Sequence, residues 1–93
     1  MKVYLIKFDL KQSIDKYQPL FSLIKTLNWW NRMENTWLIA SEGTAKDLYN
    51  QLVSFTFQGD LMLIIEVTPN YYGLLPSGGW DWISKNLGGP KNI

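Results

Sequence analysis

Any chemistry this chain performs must come from carboxylates, amines or phenols, because it holds neither histidine nor cysteine. That removes serine- and cysteine-nucleophile triads, ordinary zinc sites and disulfides. It also removes the side chain that changes charge near neutral pH. Asp9 is the first candidate for catalysis and for metal binding. It directly follows the apolar run at residues 2–8 and opens the polar stretch 9–13. Two such carboxylates, met across a two-fold axis, would give Mg²⁺ oxygen ligands. The competing role is a loop cap accepting from nearby backbone N–H groups, and residue type alone favours that role. Glu34, Glu42, Asp47 and Glu66 show no spacing diagnostic of glycosidase or metal work. Glu66 interrupts an otherwise apolar run, so it is expected in solvent at a sheet edge or paired with Lys7 or Arg32 across strands.

The rings are the second constellation. Trp29, Trp30, Trp37, Tyr71, Tyr72, Trp80 and Trp82 are of the type that stacks bases on open sheets. No RNA-recognition signature accompanies them, and basic residues do not gather around them. Core and interface packing is therefore the preferred use, since rings supply large burial per residue. Trp30, Trp37, Tyr71, Tyr72, Trp80 and Trp82 are assigned to an interface. Trp80 and Trp82, two apart, cannot share a helical face, so at least one should meet a partner or another part of the chain. The glycines form no phosphate-cradling pattern; Gly78 and Gly79 are expected to set the turn into a last helix.

The totals agree with a covered apolar surface. The chain has 93 residues, a formal net charge of +1, 18% charged residues and 15% aromatic residues with five Trp. This is one domain's worth of chain, with no global field to draw in nucleic acid or an acidic membrane. Few charges and many rings suggest apolar surface hidden by a partner, often a second copy. No apolar stretch approaches the roughly 20 residues of a bilayer span, and Met1-Lys2 leads straight into a strand-like run. The expectation is a soluble, cytoplasmic protein with no membrane partner.

The elements that would position these residues follow from periodicity. Residues 2–8 read as a central strand, apolar on both faces. A helix is expected over 16–27, with Leu20, Leu23, Ile24 and Leu27 on one face and Pro19 in its first turn. Strands at 29–33 and 36–40 join through a turn or bulge at Glu34-Asn35. A helix over 44–55 starts at a Thr44 cap with Asp47 three residues on. Residues 60–67 form the last clear strand, 70–79 an ordered loop and 80–87 a short helix, stopped by Gly88-Gly89-Pro90. The final residues are expected to fray. This order is the split β-α-β pattern of an α+β, ferredoxin-like open sandwich over 1–69, with both helices on one sheet face. The other face is apolar too and needs cover from the segment 70–93, a second protomer, or both.

On these residues the chain resembles known families. The run "KVYLIKFDL" is similar to the opening strand of the small CRISPR-associated adaptation subunits, which are ferredoxin-like homodimers, several of them metal-dependent nucleases. The stretch "WWNRMENTWLIASEGTAKDL" resembles their paired middle strands and second helix. The "WW…TWL" residues, the "NY.G.LP" within 70–76 and the "WDW" of 80–82 resemble the SinR-like group of short bacterial proteins, over nearly the whole chain. The resemblance implies a homodimer, Asp9 as the metal-site residue, Mg²⁺ as cofactor, and RNA or DNA as partner, with Lys7, Lys11 and Lys16 as the nearest basic residues. Phe8 stands where those subunits usually have Tyr, and Thr36-Trp37-Leu38 where they have Ser-Val-Phe. These departures weigh on nuclease activity more than on the fold. The tail also differs, so the subunits' partnership with an integrase is not carried over. The alternative is a non-catalytic module, an adaptor or defence-related protein, that holds a protein partner through aromatic surface. RNA binding through the open sheet is a third.

Overall fold

A computed structural model describes residues 1–87. Strand β1 (Lys2–Asp9) is followed by a 3₁₀ turn (Ile14–Tyr17) and helix α1 (Gln18–Ile24). Strands β2 (Asn28–Met33) and β3 (Thr36–Ser41) lead to helix α2 (Ala45–Leu52) and a 3₁₀ turn (Val53–Phe55). Strand β4 (Leu61–Val67) and helix α3 (Gly79–Asn86) complete the described chain. The four strands make one sheet in the order β2-β3-β1-β4, and every neighbouring pair is antiparallel. The fold is α+β, with β1 inside the sheet and β2 and β4 at its edges. The expected stop at Gly88-Gly89-Pro90 and the expected fraying lie outside the described residues.

Alternation along β1 sorts the interior into two layers. Tyr4, Ile6 and Phe8 enter the main core with Leu20, Ile24, Trp37, Ile39, Leu48 and Leu52, beneath α1 and α2. Val3 points the other way and packs with Leu38, Ala40 and Ile83. The Tyr4 hydroxyl donates to the Gly43 carbonyl at 2.7 Å, so a buried ring keeps its polar end satisfied while tying β1 to the start of α2.

Both helices are shorter than their periodicity suggests. Pro19 sits in the first turn of α1, where its missing N–H costs nothing. Ahead of it the chain tightens into a 3₁₀ turn. Beyond Ile24 the backbone closes through Thr26 N–H to Leu23 O at 3.0 Å and Leu27 N–H to Ile24 O at 2.9 Å. These are three-residue bonds, the usual way a helix satisfies its last carbonyls. Helix α2 opens on a reciprocal cap: Asp47 N–H donates to Thr44 Oγ1 at 3.1 Å and Thr44 N–H to Asp47 Oδ2 at 2.9 Å. The Thr44 backbone bond, then its hydroxyl, hold the Asp47 carboxyl below its ordinary range.

The turn between β2 and β3 places Asn35 at φ 54, a left-handed position that asparagine tolerates. The ladder slips between Trp30 and Met33. Asn31 Nδ2 donates to Met33 O at 3.1 Å and Thr36 O at 2.7 Å, so a side chain bonds carbonyls at the irregularity. Glu66 is exposed and lies opposite Tyr4, while Lys7 pairs with Leu63 and Thr36. Arg32 is on β2, at the far edge. Among the described residues Glu66 forms no ion pair.

Helix α3 approaches the sheet closely at Gly79, which is buried. A β-carbon there would stand 2.9 Å from Trp30 Cζ2 and 3.0 Å from Leu75 Cβ. Gly79→Ala should therefore overpack this contact by about 1–3 kcal/mol. The expected fall in Tm is roughly 5–15 °C, read by circular dichroism.

Candidate interaction surface

The face of the sheet away from α1 and α2 is covered over only part of its width. Ile83 on α3 buries against Val3, Leu38 and Ala40, and Leu5, Trp30, Val67, Tyr71, Leu75, Trp82 and Leu87 pack around them. Towards the β4 edge this cover stops. Leu61, Leu63 and Ile65 are 61%, 57% and 51% exposed, one after another on the same side of β4. Their β1 neighbours in register are Asp9, Lys7 and Leu5. At the boundary between covered and bare sheet runs an apolar groove of about 270 Å³, which includes Leu5, Val67, Tyr72 and Leu74. Tyr72 and Leu74 stand out into solvent from the tail loop, at 102% and 98% exposure.

The assigned interface residues divide unequally. Trp30 and Trp82 are half-buried in the layer beneath α3. Tyr71 stacks on Trp80, ring centroids 5.8 Å apart and planes 9° apart. These four and Tyr72 belong to the open-face side. Trp37 does not. It lies opposite Ile6, on the helix-covered side, and is only 6% exposed. Its ring stacks on Phe21 at 5.9 Å and tilts against Trp29 at 5.4 Å. Parity decides this: a residue directly across from a core position in an antiparallel pair faces the same core. Trp37 is thus a core ring with little surface left for a partner.

Asp9 is exposed at the carboxyl end of β1, on the open-face side of the alternation. Its Oδ2 accepts from the Lys11 ammonium at 2.8 Å. That hydrogen bond, together with the carboxylate's charge, raises the Lys11 pKa. Mg²⁺ demands near-octahedral oxygen ligation. Asp9 offers one carboxylate that already holds an ammonium, and no group of three or more acidic side chains suited to a metal occurs among the described residues. One chain alone therefore supplies Mg²⁺ with a single carboxylate, and a second would have to come from another copy.

Two features were missed at the level of sequence. The bare row on β4 had a signal, the unbroken apolar run of 61–65. A polar knot at the opposite end of β4 from α3 had none. Asp60 accepts from Lys11 N–H at 2.8 Å, Phe57 N–H at 2.8 Å and the Tyr17 hydroxyl at 2.8 and 2.9 Å. The same hydroxyl accepts from Gln12 N–H at 3.0 Å. Tyr17 is 1% exposed, so this knot fixes the loop after β1 to the entry of β4.

No helix among the described residues is long and apolar enough to cross a membrane. Comparison with protein-family models, curated proteins and solved structures gave no match.

Proposed function

We propose that this chain is a non-catalytic protein-interaction module of ferredoxin-like form that works as a homodimer, with the second copy seated on the bare half of the open sheet face. The carrying observation is the row Leu61, Leu63 and Ile65, more than half exposed beside a sheet whose other half is buried. Monomeric proteins rarely leave contiguous apolar surface of this kind in water. Two charges on the same face favour a second copy over an unrelated partner. Lys7 and Asp9 are two residues apart on β1 and both exposed. In a two-fold stack with the strands antiparallel, Lys7 of each copy lies over Asp9 of the other, a self-complementary pattern. The ferredoxin-like reading is supported by the element order and by the antiparallel β2-β3-β1-β4 arrangement. Sedimentation equilibrium tests the dimer. The expected mass is twice the chain's 10.8 kDa. A single-chain mass at every concentration up to about 100 µM would remove the proposal.

The resemblance to CRISPR-associated subunits supplies a second reading, a Mg²⁺-dependent nuclease. One observation favours it: Asp9 shares the face on which a second copy would sit, so both copies would bring a carboxylate to one interface. The non-catalytic reading expects no Mg²⁺-dependent cleavage of RNA or DNA beyond that of Asp9→Asn. Cleavage by the wild type that disappears in a folded Asp9→Asn protein would replace it with the nuclease.

A further inference from the structure

On the helix-covered side, away from the proposed dimer face, a groove of about 460 Å³ runs between the end of α1 and the free edge of β2. Its wall is a continuous run of rings: Phe21 stacks on Trp37, and Trp37 meets Trp29. Trp29 is 37% exposed and lines the groove. Lys25 and Arg32 also line it, together with Glu34. Both cations are exposed, and neither has an acidic partner among the described residues. Asn31 also lines the groove and is held by its two Nδ2 bonds to Met33 O and Thr36 O; its Oδ1 accepts no hydrogen bond among the described residues.

We infer that this groove binds a nucleotide unit, a planar base carrying a phosphate. A partly exposed indole lining a groove can stack bases whatever their identity. Two lining cations with no acidic partner among the described residues suit a phosphate, Arg through its fork and Lys as a point charge. The Asn31 carbonyl suits an exocyclic base amine. The volume falls within the range of small-molecule sites and exceeds what a lone phosphate or carboxylate would fill. Ring and charge are adjacent because α1 ends at Ile24, which sets Lys25 beside the β2 edge that carries Trp29 and Arg32.

Adenosine monophosphate titrated into the full chain, followed by indole and backbone resonances, tests this. The Trp29 indole and the Lys25 and Arg32 amides should shift together with a Kd of about 0.1–1 mM at low salt, weakening as salt rises. The Lys25→Gln/Arg32→Gln pair should weaken binding about tenfold while leaving Tm unchanged, since both residues are exposed and unpaired. Trp29→Leu should abolish the preference for adenosine monophosphate over inorganic phosphate. No shift at Trp29 at about 5 mM nucleotide overturns the inference. So does inorganic phosphate binding as well as the nucleotide, or adenosine binding as well as its monophosphate. A short oligoadenylate that binds more tightly than the monophosphate assigns the natural source to single-stranded nucleic acid, and equal binding assigns it to free nucleotide; either supports the site.

Discussion

Leu63→Lys should separate the two copies of the proposed homodimer and leave the fold of each chain intact. Leu63 is 57% exposed in the isolated chain, so the folded monomer loses little burial when it is replaced. A long lysine lies easily along a strand face with its charge in water. In the proposed dimer the same position would sit mid-row, between Leu61 and Ile65, and would occur twice. Removing a buried leucine from each copy forfeits about 1.5–3 kcal/mol per copy of transfer free energy, before the cost of facing two like charges. The dimer Kd should rise at least about 100-fold. Two measurements and a control separate lost association from lost folding. The mass of the variant should fall to one chain at concentrations where the wild type is paired. Its Tm should no longer depend on protein concentration, whereas that of the wild type should climb with it. Tyr49→Lys is the control. Tyr49 is 45% exposed but stands on α2, on the opposite side of the sheet, and should leave the mass unchanged. If Leu63→Lys stayed paired, or Tyr49→Lys fell apart, the row on β4 would not be the contact.

The sequence carried these features unequally, for physical reasons. Local signals were readable where the responsible groups are neighbours in the chain. The Thr44–Asp47 cap, the place of Pro19 in a first turn and the break at Glu34-Asn35 all rest on contacts within a few residues. The apolar second face of β1 was also readable, because Val3 and Leu5 alternate with Tyr4 and Ile6 on a strand of fixed period. Features set by pairing were not. Trp37 and Trp30 look alike as exposed-ring candidates, and only the register against β1 and β2 sends one to the core and the other beneath α3. The extent of cover was hidden as well. Tyr71, Leu75, Trp82, Ile83 and Leu87 pack in the layer with Val3, Leu38 and Ala40, but α3 is short and sits over these three, leaving the β4 edge bare. The Tyr17–Asp60 bond joins residues 43 positions apart, and no local pattern marks either partner.

That bond is the basis of the second large effect: Asp60→Ala should lower Tm by roughly 10 °C, corresponding to about 2 kcal/mol. The side chain is half-buried and accepts from two backbone N–H groups, those of Lys11 and Phe57, and from the hydroxyl of the buried Tyr17. Alanine leaves the backbone donors to find water and the hydroxyl without its acceptor, and a buried donor left unpaired costs more than the bond contributed. The carboxylate's charge matters too, and pH isolates it. Burial is the largest single influence on Asp60 and pushes its pKa up. The bonds from Phe57 N–H, Lys11 N–H and the Tyr17 hydroxyl, with the Lys11 ammonium nearby, outweigh it, and the net direction is down. A carboxyl group depressed in the folded state stabilises at pH values above its unfolded value and loses that contribution as pH falls through the folded one. The Tm of the wild type should therefore decline on acidification below about pH 4 more steeply than that of Asp60→Asn, which has no proton to gain there. The gap between the two should be widest near neutrality and should close in acid. Tyr17→Phe keeps the ring in the core and removes only the hydroxyl, so it should move the Asp60 transition upward and narrow the same gap without opening a cavity. A gap that stayed constant down to pH 2 would show that the knot holds by shape and neutral hydrogen bonding, with no share from the charge.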